Sequence, residues 1–164
     1  LHIAGVFALE AAGVPNAKTA AVHVPFDGGG NAAAAVVTGN INYICTNSSA
    51  LAGHIASGAL HPLLITIPSN NFPDIPVAVK LGYPALSDMV GWSAISGPPG
   101  LPQEVVDYWL GVVEKLKGDK DWTEQMEKQG SVPAFMNVAE SKDFIDKQFK
   151  LYFELVTKLG LRIK

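Results

Sequence analysis

Val22-His-Val-Pro-Phe-Asp-Gly-Gly-Gly-Asn31 decides how this chain is read. A β-branched run ends at Pro25, Gly28, Gly29 and Gly30 turn the backbone, and Asn31 opens an alanine-rich helix. Gly39 and Asn40 close that helix, and Ile41-Asn-Tyr-Ile-Cys-Thr46 reads as the next strand. A strand, a glycine turn and a helix N-terminus leave backbone N–H groups without intrahelical partners, and the helix dipole adds partial positive charge there. Such a place suits an anion without any charged side chain. The alternative is an ordinary turn whose glycines supply positive φ. The loop has neither the Gly-Lys-Ser/Thr of a phosphate loop nor the Gly-x-Gly-x-x-Gly of a dinucleotide fold.

Outward from this stretch, the first half alternates. The pattern predicts a helix over 1–13, strands near 20–25, 41–46 and 60–66, and helices near 30–38 and 48–57. Alternation of this kind argues for an α/β unit with a largely parallel sheet. Thr46-Asn-Ser-Ser49 forms a second strand-to-helix junction, with Ser48 or Ser49 as the expected N-cap. Two junctions in one parallel sheet lie on the same edge, at the carboxyl ends of the strands, where open sheets bind ligands. The proline- and asparagine-rich run 67–76 reads as a loop between lobes, followed by a short helix at 77–82 and a strand at 89–96. The last third is helical, with helices from Pro102 to about Lys117, over 119–129 and over 139–159, and a short strand at 131–136. Val105, Val106, Trp109, Val112, Val113 and Leu116 form the apolar face of the first of these.

Composition narrows the function classes. The 164 residues are 48% hydrophobic and 16% charged, enough for one sizeable core or two small lobes. Net charge is −3, with Arg162 the one arginine against eleven lysines, and no basic stripe suggests a nucleic-acid partner. Several arginine forks around a carboxylate are likewise excluded. Cys45 is alone, so there is no internal disulfide, and no run reaches the length of a membrane span. Leu1 begins in mid-helix, as expected of a fragment or a processed piece. Cys45 or Ser48 invites a nucleophile reading with His23 or His54 as base, but no strained Gly-x-Ser-x-Gly elbow is present. His2, His23, His54 and His61 lack metal-ligand spacing, so neither a metal nor a cofactor is expected. Trp92 belongs either to a cleft or to the core.

A family resemblance rests on a series running along nearly the whole chain. Its members are His2-Ile-Ala-Gly, Val22-His-Val-Pro-Phe-Asp-Gly-Gly-Gly30, Thr38-Gly-Asn, Asn47-Ser-Ser-Ala-Leu and His54-Ile-x-x-Gly58. Phe72-Pro-Asp-Ile-Pro76, Gly91-Trp-Ser and Gly97-Pro-Pro-Gly-Leu-Pro102 complete it. The series resembles the extracytoplasmic solute-binding receptors of tripartite tricarboxylate transporters, the Bug or TctC-like family. The resemblance implies a type II periplasmic binding protein, not an enzyme, with parallel-rich sheets in two lobes. The lobes close on a small organic acid, often a di- or tricarboxylate, and present it to membrane transporter subunits. Family members hold the acid through backbone amides, hydroxyls and bridging waters.

Carried onto this chain, the resemblance places ligand loops at Leu1 and His2, at the Phe26–Gly30 turn and at Thr46–Ser48. The candidate ligand set is therefore His2, Phe26, Asp27, Gly28, Gly29, Gly30, Thr46, Asn47, Ser48 and Trp92. Phe26-Asp27 stands where the family more often has Tyr-Lys, which replaces a cation by an anion. Residues 1–66 correspond to part of the ligand-binding second lobe, and 67–164 to the crossover and the C-terminal part of the first lobe with its terminal helices. Family proteins are roughly twice this length, so the first lobe is incomplete here. A second copy or a complementary N-terminal chain is then an expected partner, because large exposed apolar patches call for one. An α/β hydrolase-like enzyme using Cys45 or Ser48 is the alternative function.

Overall fold

The computed structural model describes residues 1–161. Among the described residues seven α-helices form: α1 (His2–Ala11), α2 (Ala17–Ala20), α3 (Gly29–Val37), α4 (Ala52–Ala56), α5 (Gln103–Gly118), α6 (Lys120–Lys128) and α7 (Val138–Lys158). Short 3-10 turns lie at Ser48–Ala50, Ala78–Leu81 and Pro84–Asp88. The helices form where periodicity and caps agree. α7 opens on a capping box: the Glu140 N–H donates to Asn137 Oδ1 at 2.9 Å, and the Asn137 N–H donates to Glu140 Oε2 at 2.8 Å. α3 ends as its sequence demands, with Gly39 at φ 76° and the Asn40 N–H reaching back to the Ala35 carbonyl at 2.9 Å.

The core is built where α1 crosses α7. Ala78, Leu86, Met89 and Leu155 are buried together, with Ile3, Phe7, Leu64, Leu151 and Tyr152 packed against them. The apolar stripe of α7 faces this cluster, as its three- and four-residue spacing dictates. Gln148 also lies on that stripe, and its amide donates to the Asp88 carbonyl at 3.2 Å. Lys158 and Glu10 pair at 2.7 Å between the C-terminal ends of α7 and α1. That exposed pair contributes at most about 1 kcal/mol.

The strands differ from expectation. Among the described residues the only β-pairing is one parallel bridge, Ile65 with Val77. It is held by the Ile65 N–H on the Pro76 carbonyl (2.9 Å) and the Ala78 N–H on the Ile65 carbonyl (2.8 Å). The runs near 20–25, 41–46 and 89–96 form no ladder, and 131–136 forms no strand. A strand exists only through its neighbour, because the ladder bonds are all between segments. These runs have strand composition, but no described segment offers them an edge. Val22 is accordingly 90% exposed and Leu63 70% exposed. Two further differences are local. The helix expected over 48–57 divides into the 3-10 turn and α4, and Trp109 leaves the α5 face, 47% exposed and edge-on to Tyr108.

The accessible surface is 11391 Å², against roughly 7,800 Å² for a folded monomer of this mass. The core is therefore small for the chain, and apolar area remains on its outside.

Asn137→Ala removes one half of the capping box and leaves the Glu140 amide in the first turn of α7 unpaired. We expect a loss of about 1 kcal/mol of stability in urea unfolding. Stability equal to that of the parent protein contradicts this role for the box.

Candidate functional site

The glycine turn is built from backbone alone. Gly28 takes φ 89° and ψ 161° at the N-cap of α3, a conformation that suits glycine, and its N–H donates to the Phe26 carbonyl at 3.0 Å. No side chain caps α3. The Asn31 side-chain amide turns back to the Asp27 carbonyl at 3.0 Å and so fixes the entry of the chain. The N–H groups of Gly29, Gly30 and Asn31 have no protein acceptor among the described bonds. They are the orphan donors of a nine-residue helix.

The second junction lies against the first. A Cβ placed on Gly29 would stand 2.7 Å from the Ala50 Cβ and 3.1 Å from the Thr46 hydroxyl oxygen. The absence of a side chain at Gly29 thus lets the first turn of α3 close onto the Thr46–Ala50 segment. Ser48 does not cap a helix; its hydroxyl donates to the Gly130 carbonyl at 2.7 Å, tying the junction to the end of α6. Asn47 heads the 3-10 turn, and its side-chain amide lies against the bare backbone of Gly91, where any Cβ would overlap it. That contact brings Trp92 into the neighbourhood. Trp92 is 46% exposed and packs edge-on against Phe144 of α7, with centroids 5.7 Å apart.

α1 closes the other side. Gly5 approaches the Cys45 Cβ, which would be 3.3 Å from a Cβ there, so the residue before Thr46 is packed on α1. At the start of α1, His2 stacks on His23, with ring centroids 3.8 Å apart and planes 8° from parallel. Burial, then the neighbouring His23, then the α-amino group hold the His2 pKa below its ordinary 6.5. Burial pushes the Cys45 thiol and the Tyr43 hydroxyl up. Cys45 keeps an exposed edge, yet the protein crowded around it keeps the sulfur protonated at neutral pH.

This arrangement weakens the nucleophile readings. A thiol with a raised pKa is a poor nucleophile, and the Ser48 hydroxyl is spent on a carbonyl. No described hydrogen bond joins a histidine to either residue. What the site offers is donors: three amides and the Thr46 hydroxyl, with the aromatic rings of Phe26 and Trp92 nearby. The candidate ligand residues include no lysine or arginine, and Asp27 is their one acidic side chain.

A hollow of about 530 Å³ lies elsewhere, between Ile55, His61 and Leu63 on one side and Phe72, Pro73 and Asp74 on the other. None of the junction residues lines it. Its apolar walls and the carboxylate of Asp74 give it the wrong chemistry for an acid.

Sequence reasoning singled out both junctions but neither the stacking of His23 on His2 nor Gly130 as the partner of Ser48. Gly130 lies 82 residues from Ser48, and no local signal announces such a contact.

The two glycines of the turn separate packing from recognition. Gly29→Val collides with Ala50 and should destabilise the fold, so it cannot report on binding alone. Nothing lies within 4 Å of a Cβ on Gly30. Gly30→Ala should therefore raise stability by up to about 1 kcal/mol through helix propensity, while crowding the amides. Thermal melts check both, and a Gly30→Ala variant that melts below the parent contradicts the geometry.

Comparison with known proteins places the chain in a family. Residues 9–161 match the family described as "Tripartite tricarboxylate transporter family receptor". The chain is 25% identical over 143 residues to Protein BugT of Bordetella pertussis (strain Tohama I), covering 86% of this chain and 44% of that protein. It thus spans less than half the length of that curated relative. No solved structure matches. With the family match extending over nearly all of its length, this chain belongs to the tripartite tricarboxylate transporter receptor family.

Proposed function

We propose that this chain is the ligand-capturing part of a periplasmic receptor that binds a small organic acid, di- or tricarboxylate-like, and hands it to a tripartite tricarboxylate transporter. The observation that carries the reading is the closeness of the uncapped α3 amides to the Thr46 hydroxyl, set by the missing side chain at Gly29. A carboxylate seated there accepts from Gly29, Gly30 and Asn31 and from Thr46. His2, Phe26 and Trp92 form the walls, and Gly28, Asn47 and Ser48 hold the turn and junction in place. A hydrogen bond to a charged group contributes about 1.5–3 kcal/mol, and a helix N-terminus about 0.3–1 kcal/mol. Micromolar binding needs about 8 kcal/mol after the cost of association. The junctions supply part of that, and a second lobe closing over the ligand supplies the rest.

Residues 1–66 belong in this reading to the ligand-binding second lobe, and 67–164 to the crossover and the terminal helices of the first. Within each lobe the unladdered runs pair in parallel-rich sheets of the type II periplasmic binding fold. The large exposed surface and the greater length of the relative support a complementary lobe, or a second copy of the chain, over the exposed apolar face. Among the described residues no helix is long and apolar enough to cross a membrane.

Asp27 tunes the charge of the acid. At about 6 Å in water, replacing its anion by a cation favours a carboxylate by about 1.4 kcal/mol. Titration calorimetry with citrate, malate and succinate tests the proposal. We expect at least one acid to bind, and Asp27→Lys to tighten citrate by roughly tenfold at low salt. Silence from all three acids, with the parent protein and with Asp27→Lys alike, contradicts the receptor reading.

A further inference from the structure

The sequence offered His23 only as a base for Cys45 or Ser48 and as part of the family series, not as a ligand residue, yet it makes the closest ring contact of the site. Its imidazole lies face to face with that of His2 at 3.8 Å. His23 stands three residues before Phe26 on the run that enters the glycine turn, and His2 stands at the head of α1. α1 and the turn flank the same short segment: Gly5 meets Cys45, and Gly29 meets Thr46. The stacked pair therefore joins the head of α1 to the run that leads into the glycine turn.

Two imidazolium rings at this separation repel, and the His23 ring is one of the causes, after burial, that hold His2 below its ordinary value. Asp27 stands four residues beyond His23 on the same run, and among the described ion pairs none joins a carboxylate to either ring. On α1 the other ionisable group, Glu10, is engaged by Lys158 of α7. Across from α1, the thiol of Cys45 and the hydroxyls of Tyr43 and Tyr152 are held protonated, all three by burial. Lys18 of α2 donates to the Gly160 carbonyl, and Asp88 ends the 3-10 turn packed on α1. The α-amino group of Leu1 adds positive charge beside His2. A negative ligand is what the pair lacks.

We propose that the His2–His23 stack makes ligand capture proton-linked: a carboxylate bound beside it lets both rings carry protons, so binding takes up a proton and strengthens in mild acid. The inference rests on the reading that the junctions hold an organic acid. His23 then serves as a specificity residue that favours multiply charged acids. The sign follows from linkage. The complex binds more protons than its separate parts, so affinity rises as pH falls through the range in which the pair titrates.

Calorimetry of the intact chain with malate, in buffers of different ionisation heat at about pH 6.5 and about pH 8, reads the proton uptake directly. Malate is doubly ionised at both. We expect uptake of about half a proton or more at the lower pH, with binding about three- to tenfold tighter there. His23→Gln should abolish most of that uptake, flatten the pH dependence, and move the His2 ring titration, followed by NMR, back up toward its ordinary value. Malate binding of equal strength at both pH values without proton uptake overturns the inference and leaves the receptor reading standing. Absence of malate binding at either pH, while citrate or succinate binds, overturns the linkage to this diacid alone. Absence of binding by all three overturns both.

Discussion

A missing methyl group organises this site. With no Cβ at Gly29, the first turn of α3 approaches Thr46 and Ala50 closely enough that a side chain would collide. Everything proposed about recognition depends on that approach. Apart, each junction is a short polar turn, and a single helix N-terminus holds an anion weakly. Together they bring the first turn of α3, with its free amides, up to the Thr46 hydroxyl. The remaining contacts serve this juxtaposition: Ser48 anchors to Gly130, Asn47 packs on Gly91, and Cys45 rests on Gly5. Each of those three contacts sets a side chain against a glycine, whose bare backbone lets the partner come close.

Recognition by backbone donors suits the composition. One arginine in 164 residues leaves no guanidinium clamp, and charged residues are sparse throughout. Amides are fixed in direction and need no reorganisation when a ligand arrives, which lowers the entropic cost of binding. They also do not distinguish one carboxylate from another. Discrimination then falls to what surrounds them: the anion of Asp27, the rings of Phe26 and Trp92, and the stacked imidazoles. The small core around Ala78, Leu86, Met89 and Leu155 holds α1 against α7 and thereby fixes one wall of the site.

Much of this was legible in the sequence, for physical reasons that differ from element to element. α3 was bounded by Gly28 and Gly39 because both ends need backbone conformations that glycine adopts readily. α5 and α7 were legible because three- and four-residue spacing is a local signal, and Asn137 with Glu140 marks the start of α7. The strands were not legible as sheets. Val22–Pro25 and Ile41–Thr46 have strand composition, but pairing belongs to two segments at once, and only Ile65 found a partner in Val77. Ser48 was misread as a cap because its actual acceptor, Gly130, is remote in sequence. Trp109 was misplaced because helical spacing identifies a face without saying what covers it. The family series reached the junctions, but the imidazole stack emerged only when His2 and His23 were placed together.

The most direct test of the central claim is amide NMR of the isotopically labelled chain during titration with citrate. The account predicts that the N–H signals of Gly29, Gly30, Asn31 and Thr46 move together, saturating at one common citrate concentration. These four signals staying fixed while others move, above all those of Ile55, His61 and Phe72 around the apolar hollow, would contradict it.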